Sequence, residues 1–560
     1  MGDPEPVGAR VDGGRADGAR AADADGGAVA RNSLAVVSWT VVSRASGFVR
    51  VAVVAAVLGP TYLGNIFQAT NSLPNLTYVA LTGALFSNLL VPPLVRHIDA
   101  GDRRRTARLA GAFMSIALAA FAVVAAVVVL AGPLVVRLIS VGVTDPAAAA
   151  AQRRVGYVLL VMFIPQLLMY TVVGTAEAVM NAHGRFALPS AAPALENVGI
   201  IATMLATAMV YGTGDALAEP GTGLLLLLGV GTTSAVALHA AVQWWGARRV
   251  GVTLLPRGGW GDPELRSIVR RALPSLGYST LDVVQPFGAI VVADRIPGGV
   301  IAFQFAYNIY ALPYALGSRP VAVALLPRLS RLAHAGAIQR FRDELVRGAA
   351  LVAFVAIPAG VAFVVLAGPI AEAVTFGRMA TEQGRLLVGL SLASLGPAVI
   401  GGAALLLATY ACYARGDAHG PLRAVLIRAA VAVAGMTLAF LVPGGPAALL
   451  TIGLTISVAE LVGGSWLAGR LHRELPRGGA PLVRPLLRTA GAALLMAGPA
   501  YLLADRLPLG GQLTIVVTAA AGAVVFLLVQ AWWRAPELAV LAAGVRQLRA
   551  RAGTPGDAGP

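Results

Sequence analysis

Apolar runs long enough to cross a bilayer recur from one end of this 560-residue chain to the other. That repetition constrains the fold more than any motif does. About 20 apolar residues span the hydrocarbon core as a helix. The sequence therefore predicts an all-α polytopic membrane protein with about fourteen transmembrane helices. They fall at 33–57, 66–95, 109–137, 155–180, 187–211, 222–245, 272–293, 299–326, 348–369, 386–412, 421–442, 447–468, 485–504 and 511–533. Charged residues make up 12% of the chain, against about 25% in a soluble domain. The formal charge is +16, and every basic residue other than histidine is arginine. Those arginines sit in short loops between apolar runs, which points to a topology signal and away from nucleic-acid binding.

The loops test the span count. Arginines cluster before span one and after spans two, six, eight, ten and twelve, with Arg185 alone after span four. The intervening loops TYLG, GTGDALAEPG, DRIPGG, VPGGP and DRLPLGG are poorer, and only 138–154 is ambiguous, with Arg153 and Arg154 near its end. The alternation predicts an even number of spans and both termini in the cytoplasm. Residues 1–31 are rich in Gly, Ala, Asp and Arg without an apolar core, so they read as a disordered cytoplasmic tail and not a secretory signal. Residues 536–560 read as a second tail. A single cysteine, Cys412, rules out a disulfide framework.

Weak internal similarity divides the rest. Span four ends AEAVMNAHGRFALPSAAP and span ten ends LATYACYARGDAHGPLRA. Each is a helix leaving through a small-residue turn with Gly and Arg, then proline and a new helix. Two six-helix lobes with the substrate site between them is a common transporter plan. The expected boundaries are 32–245 for the N-terminal lobe, 246–271 for a cytoplasmic linker, 272–470 for the C-terminal lobe and 471–535 for two additional C-terminal helices.

Charges inside the runs are the candidate chemistry. Arg44 and Arg50 lie in the first span, where a central arginine costs about 2.5–3.5 kcal/mol even on a mild scale. They are offset by about 240° and about 9 Å along a helix, so Arg44 could face a cavity while Arg50 sits on a neighbouring face, where snorkelling to a wet interface is the plainer reading. Arg319 lies about 13 Å inside span eight, with a cavity-facing role and a structural ion pair both open. Asp282 and Glu460 are the candidates for ion coupling, with a structural ion pair as the plainer reading of each. Glu177 and Glu196 fit solvated or paired carboxylates near helix ends, and Glu372 fits the outer interface. No nucleophile triad, metal cluster or phosphate loop stands out, so no cofactor is expected, and the chain reads as a transporter and not an enzyme.

An ordered set of segments then resembles a known family. SRASGFVRVAVVAAVLGP, NIFQATNSLPNL and GALFSNLLVPPL are similar to the opening helices of the MurJ/MviN lipid flippases, in the multidrug/oligosaccharidyl-lipid/polysaccharide exporter superfamily. PQLLMYTVVGTAEAVMNAHGRFALPSAAPALENVGII, ALPSLGYSTLDVVQPF, ALPYALGSRPVAVALLPRLS and ATYACYARGDAHGPLRA continue the match in order over most of 32–535. The resemblance implies two lobes around a groove, two further helices forming a hydrophobic furrow, and alternating access in the bacterial plasma membrane. It implies lipid II, or a related polyprenyl-pyrophosphate lipid, as substrate, and cell-wall synthesis proteins as further partners. Arg44 and Arg50 match the family's first-helix arginines; Arg319 is an addition to the family's pattern that could partly compensate for charges missing from it, and Asn75 and Asn308 are the remaining substrate-binding candidates. Arginine suits a diphosphate because its planar fork donates charge-assisted hydrogen bonds. The chain departs from the pattern at Val51, Asn65, Thr77-Tyr78-Val79, Thr82 and Ala306-Tyr307-Asn308, where the family carries charged residues. Those departures keep two alternatives open: a flippase for another polyprenyl-linked or anionic lipid, and an ion-coupled small-molecule exporter of the same superfamily. A non-transporting scaffold is the third.

Overall fold

The computed structural model describes residues 38–82, 89–217, 219–476, 478, 481–507, 510–540 and 542. The expected N-terminal tail, the GALFSN stretch of span two and most of the expected C-terminal tail lie outside them. The described residues are almost wholly helical, with no β-strand among them. In order the helices are α1 (Ser38–Leu58), α2 (Tyr62–Thr82), α3 (Val91–Asp99), α4 (Arg103–Leu130), α5 (Gly132–Ile139), α6 (Pro146–Phe163), α7 (Gln166–Ala182), α8 (Ala187–Ala191), α9 (Pro193–Tyr211) and α10 (Thr222–Arg249). There follow α11 (Pro263–Ala293), α12 (Gly299–Pro313), α13 (Arg319–His334), α14 (Ile338–Val365), α15 (Ala367–Val374), α16 (Glu382–Ala414), α17 (His419–Leu441), α18 (Pro446–Glu474), α19 (Val483–Arg506) and α20 (Gly511–Trp532).

Twelve helical stretches among the described residues are long and apolar enough to cross a membrane by length and composition. The two expected spans outside that set are α2 and α11. Both are diluted by polar residues, Asn65, Gln68, Asn71 and Asn75 in α2 and Arg266, Arg270, Asp282 and Gln285 in α11. Counting them restores the fourteen spans. Two spans are broken where the sequence demands it. Pro165 has no N–H to donate, so the fourth span divides into α6 and α7 at Ile164–Pro165. The eighth passes through a π-turn at Tyr314–Ser318 between α12 and α13, just before Pro320.

Helices α1–α10 form one lobe and α11–α18 the other. In the first, α10 packs on α7 and α9, α2 on α6, and α4 on α7. In the second, α16 is the buried axis, packed on α18, α14 and α12. Its glycines explain the closeness to α18: a Cβ on Gly401 would stand 2.4 Å from the Leu461 nitrogen. The Ser457 hydroxyl fastens the same pair, accepting from the Ala398 amide at 3.0 Å and donating to the Ser394 carbonyl at 2.6 Å. The internal similarity has a structural counterpart. Both α7 and α16 end on a left-handed glycine, Gly184 and Gly416. In each the next amide reaches back five residues, Arg185 to the Met180 carbonyl and Asp417 to the Cys412 carbonyl, both at 2.9 Å.

Helices α19 and α20 pack on each other and against α14 and α15. A largely apolar cavity of ≈ 730 Å³ lies between α14, α16, α18 and α19, lined by Val346, Ile357, Ala404 and Leu486 with Arg342 and His472 among its few polar groups. Glu537, at the start of the expected C-terminal tail, is buried and ion-paired to Arg488 of α19.

Candidate functional site

The ends of the spans differ in charge. Arginine-rich loops occupy one end, where Arg248 and Arg249 stack over Trp244 and Trp245. At the arginine-poor end the two lobes are sealed together. Asn65 of α2, fully buried, donates to the carbonyls of Asp294 (3.3 Å) and Ile296 (2.6 Å) and accepts from the Val300 amide at 3.0 Å. One amide side chain thus satisfies the turn between α11 and α12. One level deeper, Gln68 donates to Gln304 at 3.0 Å and Gln304 donates to Ser72 at 2.8 Å. Phe48 of α1 stacks on Phe305 of α12 with centroids 5.4 Å apart. Over the outside of this seal, Arg378 pairs with Asp215 across the lobes.

Below the seal each lobe presents a polar cluster. In the first lobe Arg50 is half-buried, and its Nε is buried with no hydrogen-bond partner among the described residues. It lies within electrostatic reach of Tyr170 on α7, which Asn75 also approaches. Tyr170 in turn donates to Glu196 of α9 at 3.0 Å, and Glu196 is also bonded to His239 of α10 at 2.9 Å. Glu196 is thus a paired carboxylate, as its place in the sequence suggested. Asn197 ties α9 to α1, donating to the Ser46 hydroxyl at 3.0 Å. Arg44, earlier on α1, is exposed.

In the second lobe Asp282 (α11) and Glu460 (α18) converge on one guanidinium, Arg428 of α17. Glu460 is buried at 3.2 Å from it, whereas Asp282 is half-exposed. Two carboxylates share one guanidinium, which can neutralise only one of them. Four tyrosines, Tyr278, Tyr307, Tyr310 and Tyr314, stand within electrostatic reach of the trio. Tyr307 is 37% exposed, so its ring is not closed into the apolar core. Arg319 leaves the π-turn exposed and within reach of Tyr314. Asn308 is half-buried and donates to the Gln304 carbonyl at 2.8 Å, one turn from the seal.

Arg50 and Asn75 therefore gather about Tyr170, and Arg319, Asp282 and Glu460 about Tyr314. Arg44 stands apart from both groups. The amides of the seal and Tyr170 went unread in the sequence, as did three ionisable groups. Arg428 is a lone arginine in an apolar run, the same signal that singled out Arg44. His239 carried no signal beyond being a histidine in a span. Asp294 read as a loop residue, but is fully buried.

Comparison with known proteins follows the same plan. A family model described as "Lipid II flippase MurJ" matches residues 54–520. A "Probable lipid II flippase MurJ" of Vibrio cholerae is 26% identical over 344 residues, covering 60% of this chain and 64% of that protein, just under two thirds of its length. A "Lipid II flippase MurJ" of Burkholderia cenocepacia is 23% identical over 476 residues, covering 84% of this chain and 89% of that protein. Among solved structures, "Lipid II flippase MurJ, inward closed conformation" superposes with a TM-score of 0.70 at 16% identity, covering 89% of this chain and 98% of that one. An inward-facing multidrug MATE transporter gives 0.61 at 14% identity, covering 79% and 98%. At those identities the structural likenesses concern the fold.

Proposed function

Because the chain belongs to the lipid II flippase MurJ family, we propose that it carries lipid II across the bacterial plasma membrane by alternating access of its two lobes. The observation that carries the assignment of the head-group site is Arg50. A buried guanidinium nitrogen without a partner is costly, and a pyrophosphate entering the cleft would satisfy it. Arg44 is the outlying cation that first meets the phosphates, with Asn75 beside Arg50. Across the cleft Arg319 and Asn308 face the same substrate. The arginine-rich end is cytoplasmic on the charge rule, so the sealed end faces outward. The apolar cavity beneath α19 suits the polyprenyl tail, with Arg342 and His472 among its few polar groups. Asp282 and Glu460 form the coupling site, since one guanidinium can neutralise only one of them and leaves the other free to exchange a proton or a cation. Cell-wall synthesis proteins are the natural partners of such a carrier.

Complementation of a bacterium depleted of its own MurJ tests the reading. The wild-type chain at normal expression should restore growth. Arg50→Ala should lose the rescue while the protein still accumulates in the membrane. Failure of the wild-type chain would remove lipid II as substrate. Unchanged rescue by Arg50→Ala would remove the pyrophosphate site.

A further inference from the structure

The seal at the arginine-poor end contains a charge that it does not neutralise. Asp294 is 0% exposed, in the turn between α11 and α12. Its Oδ1 accepts one hydrogen bond, from Gln152 of α6 across the lobe boundary, at 3.0 Å. Its Oδ2 is buried without a partner among the described residues.

The groups around it supply no cation. From α2, Tyr62 lies within electrostatic reach, and Asn65 holds the Asp294 carbonyl and not its carboxylate. At the start of α6, Asp145 adds a second negative charge near Tyr62. The adjacent Arg295 is turned away, donating to the carbonyls of Ala439, Phe440 and Val442 at the end of α17, each at 3.1 Å. Arg153 of α6 donates to Ser140 at 3.2 Å. Past the turn, the Gly298 and Val300 amides donate to the Thr61 carbonyl and to Asn65, and not to the carboxylate.

We propose that Asp294 is a proton-binding site that latches this end of the molecule shut. An isolated carboxylate in such a place is strongly disfavoured, and neutralisation by a proton removes the penalty. A protonated carboxyl also gains a donor at the oxygen that now lacks a partner. Burial pushes Asp294 up to about 8, opposed only by the Gln152 hydrogen bond. When the lobes part at this end the acid meets water and returns to its ordinary value near 3.9. The sign follows. Below about pH 4 both states hold the proton and closure is unaffected. From there to about pH 8 the closed state holds a proton that the open state has released, so rising pH favours opening. Above that value the effect is constant. Within the window the open-to-closed ratio rises up to about tenfold per pH unit.

The proposal rests on the two-lobe alternating-access reading, but its test needs no substrate. Spin labels at Ala216→Cys and Gln383→Cys, in a Cys412→Ser background of the full chain in lipid nanodiscs, report the separation of the lobes at this end. The short distance should dominate at pH 5 and give way to a longer one by pH 8. Asp294→Asn, a neutral isostere, should hold the short distance throughout. A distribution unchanged across that range in the wild type overturns the proposal, and that measurement stands alone if the variant does not fold. An Asp294→Asn protein that opens with the wild-type profile overturns it as well. Transport of labelled lipid II in liposomes separates the two readings. Transport with pH-independent distances removes only the latch, and pH-dependent distances without transport remove only the lipid II assignment.

Discussion

Arg428 holds the second lobe's charge cluster together. Its guanidinium touches both Asp282 and Glu460, and no other cation among the described residues does. Removing one partner from a buried ion pair costs about 3–5 kcal/mol, because the remaining charge is left uncompensated. Arg428→Gln should therefore lower the thermal midpoint of the purified protein markedly. Adding Glu460→Gln should recover most of the loss, since the more deeply buried carboxylate is then neutral. A double variant no more stable than the single would show that Arg428 acts through packing instead. The acids of this cluster were legible as charges inside apolar runs. Their common partner was not, because Arg428 is 146 residues from Asp282 in the chain and 32 from Glu460. A sequence shows that a buried charge needs a partner without showing which helix supplies it. The same limit hid Asp294, whose burial comes from α2 and α6 of the other lobe.

Helices were the most legible scale, because hydropathy and proline act locally. The fourteen spans and the paired glycine turns after α7 and α16 follow from short-range chemistry, whereas the break at Pro165 falls inside a run read as one span. Packing was less legible. Nothing in the run GGAALLL says that α16 approaches α18 closely enough for backbone contact. A Cβ at Gly401 would stand 2.5 Å from the Glu460 carbonyl carbon, and backbone cannot step aside. Gly401→Ala should cost about 1–3 kcal/mol by overpacking, read as a lower thermal midpoint. Gly498, with open space where its Cβ would be, should tolerate alanine. The docking of α11 on α3 and α4 is a separate case, since it rests on charge. Arg105 pairs with Asp262 at 2.8 Å and Glu264 at 3.3 Å, and His97 with Glu264 at 2.9 Å. Burial opposes ionisation of both acids, but the Arg105 and His97 contacts outweigh it and hold both below the ordinary carboxylate range. Their contribution is complete above about pH 4.3 and is lost as pH falls through the lowered values. Protection factors for hydrogen exchange, corrected for the intrinsic pH dependence, should fall in 96–108 and 262–268 on going from pH 6 to pH 2.5 before those of the apolar spans respond. An equal loss of protection everywhere would contradict local control by these pairs.

At the scale of the whole molecule, the seal sets polar contacts into an apolar core that runs across the lobe boundary. Gln68, Ser72 and Gln304 meet through side-chain hydrogen bonds and Asn65 bonds the backbone of the turn between α11 and α12, with one aromatic stack beside them. Hydrogen bonds contribute only about 0.5–1.5 kcal/mol each net of water, so this part of the seal separates at less cost than the apolar contacts around it. At Asn65 a neutral amide both donates to and accepts from the buried turn, which a carboxylate at that depth could not do. If transport needs this seal to open, fixing it shut must stop the cycle without touching the substrate site. Gln68 and Gln304 already meet at 3.0 Å, so Gln68→Cys with Gln304→Cys, in the Cys412→Ser background, places two thiols across the boundary. Bridging them with a short reducible reagent should reduce lipid II transport in liposomes at least tenfold, and reduction should restore it. The unbridged double variant should transport at a rate comparable to the parent, because the substitutions remove two hydrogen bonds from a contact that opens in every cycle. Transport that continues at full rate with the bridge in place would show that the lobes need not separate here, and the substrate would then have to leave by another route.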